Sequence, residues 1–283
     1  MNEMPHLPDV AAPRPRPFIG VFDSGVGGLS ILRALRKRLP DASMLYVGDV
    51  AHAPYGDRSE QQVFERSTKI VEWLAAQGAT MVVIACNTAT VLSIEALRAR
   101  WPGLVFVGVE PGVKPAAARS RTRRFAVMAT AATARSARLQ HLIARYAEGA
   151  HVHVQPCPGL VDAIERGELQ GAALLDALTP HCNAIREANV DTVVLGCTHY
   201  PFVEAAIRDL LGANVVVIDT AIAIAERSAS LWEKSMPTWD KSPTLRVLSS
   251  GATGTMRRLL GECPGLDRVE VEVLIIIPST LPG

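Results

Sequence analysis

Apolar residues in this chain gather in short continuous blocks, separated by longer stretches that mix apolar and polar positions. Phe18-Ile-Gly-Val-Phe22, Met81-Val-Val-Ile-Ala85, Phe125-Ala-Val-Met128 and Thr192-Val-Val-Leu195 are blocks of strand length. Such a run, bounded by turn formers, reads as a strand buried on both faces of a parallel sheet. The pattern predicts strands near 18–22, 44–47, 81–85, 104–109, 125–128, 151–155, 192–196, 214–218, 245–248 and 269–275. Helices are predicted near 28–38, 60–76, 89–100, 134–146, 169–188, 201–211, 221–233 and 254–260. Ser59-Glu-Gln-Gln62 fits a capping box that opens the second of these. Strands alternating with helices imply a parallel sheet covered on both faces, an α/β protein.

The blocks repeat. Phe18-Ile-Gly-Val-Phe-Asp23 lies over Phe125-Ala-Val-Met-Ala-Thr130, and Gly103-Leu-Val-Phe-Val over Gly212-Ala-Asn-Val-Val. Between them, Thr80-Met-Val-Val-Ile-Ala-Cys86 lies over Asp191-Thr-Val-Val-Leu-Gly-Cys197. Any two strands resemble each other; three pairs in the same order at nearly the same spacing imply two homologous halves. Each cysteine then sits at the carboxyl end of a strand, where open α/β sheets bind ligands. Two such ends suggest two thiols facing one site.

The expected architecture is two pseudo-symmetric α/β domains with mainly parallel sheets and an active site in the cleft between them. Residues 1–17 hold five prolines and no apolar core of a signal peptide, so they read as a disordered tail. Residues 18–112 with 221–283 are expected to form the first domain and 113–220 the second. A length of 283 residues and a hydrophobic content of 48% suit two buried cores. Net charge is +1, which gives no nucleic-acid footprint. Arg119, Arg121, Arg123 and Arg124 form a local basic run, read as a solvated linker. No apolar run reaches membrane-spanning length. Five cysteines without a CxxC pair or a secretory signal point to free thiols in a reducing cytoplasm.

Several residues carry candidate chemistry. Asp23-Ser-Gly-Val-Gly-Gly28 is a glycine-rich strand-to-helix turn, but position 30 is serine, so the dinucleotide fingerprint fails. Backbone N–H groups at such a turn favour an anion, and a carboxylate fits better than a pyrophosphate beside Asp23. Asp23 is either a carboxylate for proton traffic or a helix N-cap, and spacing favours the cap. Gly48–Gly56 is a turn-rich loop in which Tyr55-Gly56 could offer donors to a small ligand, or be an ordinary surface turn; His52 reads as a surface histidine. Cys86 and Cys197 are each followed by donors, Asn87-Thr88 and Thr198-His199. They are buried inert thiols, or thiols that move protons. A cysteine hydrolase built on Cys197 and His199 would explain neither Cys86 nor the repeat. Cys157, Cys182 and Cys263 have no counterpart in the other half and read as packing or surface. No cysteine–histidine spacing marks a metal site and no lysine context marks a pyridoxal site, so no cofactor is expected. Two opposed thiols can remove a proton from one face of a carbon and return one to the other. That inverts a stereocentre, provided N–H and hydroxyl donors stabilise the carbanion.

At these residues the chain resembles the glutamate racemases of the aspartate/glutamate racemase superfamily. The resemblance rests on FDSGVGGLS at 22–30, GDVAHAPYG at 48–56, ACNTAT at 85–90, GVEPGVKPA at 108–116 and LGCTHYP at 195–201. It runs in order from about residue 18 to 260, and LGCTHYP favours the glutamate branch. It implies cofactor-independent interconversion of L- and D-glutamate in the cytoplasm, supplying D-glutamate for peptidoglycan. By resemblance, Cys86 takes the proton from D-glutamate with Asp23 assisting. Cys197 takes it from L-glutamate with Glu165 and His199 assisting, and Asp49 is a further acidic neighbour. Implied substrate contacts are Asp23, Ser24, Pro54, Tyr55, Gly56, Asn87, Thr88, Thr130, Thr133, Thr198 and His199. The implied partner is the small-molecule substrate, with no nucleic acid and no membrane; a homodimer is left open. Aspartate racemisation, or a small-anion binding module with structural thiols, are the alternatives.

Overall fold

A computed structural model describes residues 17–235 and 242–274. The proline-rich tail, Pro17 apart, and the chain's last residues lie outside them. Among the described residues ten strands run in sequence order: β1 (Phe18–Asp23), β2 (Met44–Gly48), β3 (Ala79–Ile84), β4 (Val105–Gly108), β5 (Arg124–Ala129), β6 (His151–Pro156), β7 (Thr192–Leu195), β8 (Val216–Ile218), β9 (Leu245–Ser249) and β10 (Val271–Val273). The helices are α1 (Leu29–Arg38), α2 (Glu60–Ala76), α3 (Asn87–Arg100), α4 (Val113–Arg119), α5 (Ala131–Arg135), α6 (Ala137–Tyr146), α7 (Leu160–Glu165), α8 (Ala172–Glu187), α9 (Glu204–Leu211), α10 (Ala221–Ser235) and α11 (Gly254–Gly261).

The strands form two sheets, β10-β9-β2-β1-β3-β4 and β6-β5-β7-β8, and every pairing is parallel. Removing β9 and β10 leaves β2-β1-β3-β4, the same order as β6-β5-β7-β8. The internal repeat is therefore real at the level of topology. The segment after α10 returns to the first sheet, where β9 pairs with β2.

Period-2 alternation explains the continuous apolar runs. In β3, Met81 and Val83 pack with α1 and α10, while Val82 and Ile84 pack with α2 and α3. In β7, Val193 and Leu195 join α7, α8 and α9, while Val194 faces α4 and α6. Both faces of each strand are thus apolar. The capping box forms as expected: Gln62 N donates to Ser59 Oγ at 3.2 Å, and Ser59 N donates to Gln62 Oε1 at 3.0 Å.

Three expectations change. The helix expected over 134–146 is two helices, because Thr130 and Ser136 each cap a start, accepting from Thr133 N and Leu139 N. Helices α4 and α7 fall where none was expected. The basic run is no simple linker: Arg119 ends α4 and Arg124 opens β5, its guanidinium donating to the Ala188 carbonyl at 2.8 Å. Among the described residues no helix is long and apolar enough to cross a membrane.

Candidate active site

Strand register brings the two sheets' carboxyl ends to one place. Phe22 pairs with Ile84, and Ala85 N donates to the Phe22 carbonyl at 2.7 Å, so Asp23 and Ser24 lie beside Cys86. In the other half Met128 pairs with Leu195, and Gly196 N donates to the Met128 carbonyl at 2.8 Å, bringing Thr130 beside Cys197. Gly196 is required there: a Cβ would sit 2.6 Å from the Met128 oxygen. Cys86 and Cys197 line one narrow cleft, with Ser24, Pro54, Tyr55, Gly56, Asn87, Thr88, Thr130, Thr198 and His199. Among the described residues no lysine or arginine lines it. Helix α3 starts at Asn87, immediately after Cys86, so its N-terminal N–H groups are one local source of positive potential.

Cys86 is the N-cap of α3 and its sulfur accepts from Ala89 N at 3.4 Å. Ser24 Oγ is 3.6 Å away. Burial first, and the Asp23 carboxylate second, push this thiol up to about 12, outweighing the amide that favours a thiolate. Cys86 therefore rests as a thiol. Asp23 is fully buried; desolvation raises its carboxyl, and His199 and the Gly25 amide offset that only in part. It accepts from Gly25 N at 2.7 Å and from the Thr198 hydroxyl at 3.0 Å. The cap reading of Asp23 is corrected, since the N-cap of α1 is Gly28 and Asp23 closes β1.

Cys197 has a different neighbour. His199 Nδ1 is 3.7 Å from its sulfur, and His199 Nε2 is 2.7 Å from Glu165 Oε1. Burial would lower the imidazole's pKa, but hydrogen bonds to Cys197 and Glu165 hold it well above its ordinary value. The imidazole thus bridges the Cys197 sulfur and the Glu165 carboxylate. Glu165 also accepts from Val26 N at 2.8 Å. The glycine-rich turn thus binds a carboxylate, as its composition suggested, but one supplied by the protein. Its glycines allow the close approach: a Cβ on Gly25 would fall 1.8 Å from Glu165 Oε1, and one on Gly27 2.3 Å from His199 Nδ1.

Four expected residues, Asp23, Glu165, Asp49 and Thr133, do not line the cleft. Asp49 is fully buried beneath it, accepting from Arg66 Nε and the Tyr55 hydroxyl on Oδ2 at 2.9 and 2.7 Å. Ser250 donates to Oδ1 at 2.8 Å. Burial would raise this carboxyl, yet Arg66, Tyr55 and Ser250 hold it below its usual range. Its contact with the site runs through Tyr55, whose hydroxyl is thereby committed. His52 is partly exposed, with Nδ1 3.1 Å from Asp49 Oδ1. Thr133 sits one layer below Thr130, whose hydroxyl lies 3.2 Å from its own and 2.9 Å from that of Thr88. One residue read as packing belongs to the wall instead: Cys157 lines the cleft and is buried. It follows β6, so its place at a strand's carboxyl end was the available signal.

Fold and site together define an α/β protein with one thiol from each half of an internal repeat on a single cleft. The sequence matches the Asp/Glu/Hydantoin racemase family over residues 29–227. It is 49% identical over 209 residues to the glutamate racemase of Pseudomonas paraeruginosa, covering 74% of this chain and 79% of that one. It is 42% identical over 258 residues to the glutamate racemase of Ralstonia pickettii, covering 89% and 91%. The fold superposes with a TM-score of 0.81 and 32% identity on Escherichia coli glutamate racemase in complex with L-glutamate and the activator UDP-MurNAc-ala, covering 92% of this chain and 98% of that one. The chain belongs to the Asp/Glu/Hydantoin racemase family.

Proposed function

We propose that this protein is a glutamate racemase whose two thiols work from opposite faces of the substrate Cα. The observation that carries the reading is the placement of Cys86 and Cys197 at matching strand ends on one cleft. In the direction from L-glutamate, the Cys197 thiolate removes the Cα proton and His199, held by Glu165, supports the charge change. The Cys86 thiol delivers its own proton to the opposite face, with Asp23 receiving or restoring charge beside it. The reverse direction exchanges the roles. Atoms balance with no redox change, so the reaction needs no cofactor. The resting charges favour this assignment: a neutral thiol at Cys86 is an acid in waiting.

The substrate's carboxylates would be held mainly by backbone and hydroxyl donors, since among the described residues no lysine or arginine lines the cleft. Backbone N–H groups at the start of α3 and hydroxyls of Ser24, Thr88, Thr130 and Thr198 are of the right type. Asn87 Oδ1 is buried without a protein partner, while Nδ2 donates to the Val109 carbonyl at 3.2 Å. That oxygen suits the substrate ammonium. Pro54, Tyr55 and Gly56 close the wall, Asp49 and Thr133 support it, and residues 18–112 with 221–283 close as one domain against 113–220. D-Glutamate for peptidoglycan, made in the cytoplasm, is the product role this reading gives. All groups come from one chain, so a homodimer is compatible with the reading without being required by it.

The test is chiral chromatography of L-glutamate incubated with purified protein and nothing added. The expected result is approach to a racemic mixture, with L-aspartate turned over far more slowly. Saturable glutamate binding without inversion would overturn the reading in favour of a binding module.

A further inference from the structure

Helix α11 belongs to the six-stranded half, where Met256, Leu259 and Leu260 pack in its core. Its other side grips the opposite half at one turn. Glu165 is the last residue of α7, and carbonyls at a helix C-terminus lack partners within the helix. Thr255 Oγ1 donates to the Glu165 carbonyl at 2.8 Å. The Arg258 guanidinium donates to the carbonyl of Gly167. Gly167 ends the helix in the left-handed region at φ +84°, and Glu168 N returns to the Ala163 carbonyl at 2.9 Å. Two side chains of α11 thus fix the turn from which the Glu165 carboxylate reaches His199 Nε2 at 2.7 Å. Asp23, by contrast, takes its hydrogen bonds from Gly25 and Thr198.

We propose that Thr255, aided by Arg258, is a positioning residue for the Cys197 proton transfer and not for that at Cys86. By holding the C-terminal turn of α7 it sets the Glu165–His199 hydrogen bond, and so the aim of the imidazole at the Cys197 sulfur. Catalytic geometry is sensitive enough for this to matter: a misplacement of about 1 Å can cost about 10²-fold. The inference rests on Cys197 being the base for L-glutamate.

The test uses Thr255→Val, which removes the donor at similar size, and Thr255→Ser, which keeps it. Arg258→Met, at an exposed position, is the second variant. Enantiomers have equal free energy in water, so kcat/KM must fall equally in both directions and cannot locate the damage. Primary isotope effects can. A higher barrier at Cys197 makes that step more rate-limiting. The effect on kcat/KM with Cα-deuterated L-glutamate then rises, and with Cα-deuterated D-glutamate it falls towards one. Thr255→Val is expected to lower kcat/KM about tenfold, within the range for a displaced catalytic group, with this divergence. Arg258→Met should do the same to a smaller extent, and Thr255→Ser should restore the wild-type isotope pattern. Unchanged kcat/KM, or a loss in which both isotope effects keep their ratio, would overturn the inference. Should Thr255→Val not fold, as judged by circular dichroism, Arg258→Met decides by the same criteria. A wild-type protein that does not racemise glutamate overturns the proposed function, and this inference with it. A racemising wild type with unshifted variants overturns only the inference.

Discussion

The two halves of this molecule share a strand order, yet they surround their cysteines differently. Cys86 meets a serine hydroxyl, a helix N-terminal amide and a buried carboxylate. Cys197 meets an imidazole backed by a second carboxylate. Desolvation acts on both, being 5% and 6% exposed, so the contrast lies in the neighbours. At Cys86 burial first, and the Asp23 carboxylate second, keep the proton on sulfur. At Cys197 the nearest ionisable neighbour is the His199 imidazole, 3.7 Å away. Topological symmetry puts two thiols on one cleft; the symmetry is broken in the groups that surround them.

Removing either thiol should have the largest effect. Cys86→Ala and Cys197→Ala are each expected to lose at least the roughly 10²–10⁴-fold of a positioned acid–base group, in both directions, because each thiol acts once as base and once as acid. Cys182→Ala and Cys263→Ala, which are buried in the two cores away from the cleft, should retain activity. Chiral chromatography reads this out. Wild-type rates in a folded Cys86→Ala or Cys197→Ala protein would break the comparison at its root.

Resting thiolate character comes next. At pH 7 iodoacetamide should modify Cys197 before Cys86, since burial and the Asp23 carboxylate hold the Cys86 sulfur as an unreactive thiol while an imidazole lies 3.7 Å from Cys197. Cys86 should become competitive only as pH approaches its raised value of about 12. Peptide mass spectrometry against time follows both sites. Equal rates at pH 7 would mean the surroundings do not separate the two sulfurs.

The smallest effect is on stability. The folded pKa of His199 lies well above its ordinary 6.5, so charged His199 contributes stability fully below about that pH. That contribution is lost as pH rises through the folded value. Thermal unfolding from pH 6 upward should show this decline in wild type and a shallower one in His199→Gln. Parallel curves would remove the imidazolium from the account.

Much of this was legible in the chain, for identifiable reasons. Strands buried on both faces leave unbroken apolar runs, so β1, β3, β5 and β7 stood out, and with them the cysteines that follow β3 and β7. Ser59 and Gln62 announced α2 through a local, reciprocal bond. The missed helices lack such signals. Helix α7 is six residues long and carries Glu165 at the end where a helix dipole disfavours an acid, so neither periodicity nor charge placement marks it. Helix α4 is seven residues with Pro115 near its start. The use of Gly25 and Gly27 as landing places for Glu165 and His199 depends on residues far along the chain. Asp49 looked like one more acid of the site, and only its ring of donors, distant in sequence except for Tyr55, removes it from the cleft.

The most direct test of opposed thiols is the fate of hydrogen at Cα in D₂O. Starting from L-glutamate, Cys197 takes the substrate's proton while Cys86, already exchanged with solvent, delivers deuterium from the other side. With the enantiomers separated at low conversion, NMR should find deuterium at Cα of D-glutamate from the first turnovers and protium in the remaining L-glutamate. Substantial protium at Cα of newly formed D-glutamate would mean that one group serves both faces, and would contradict the account.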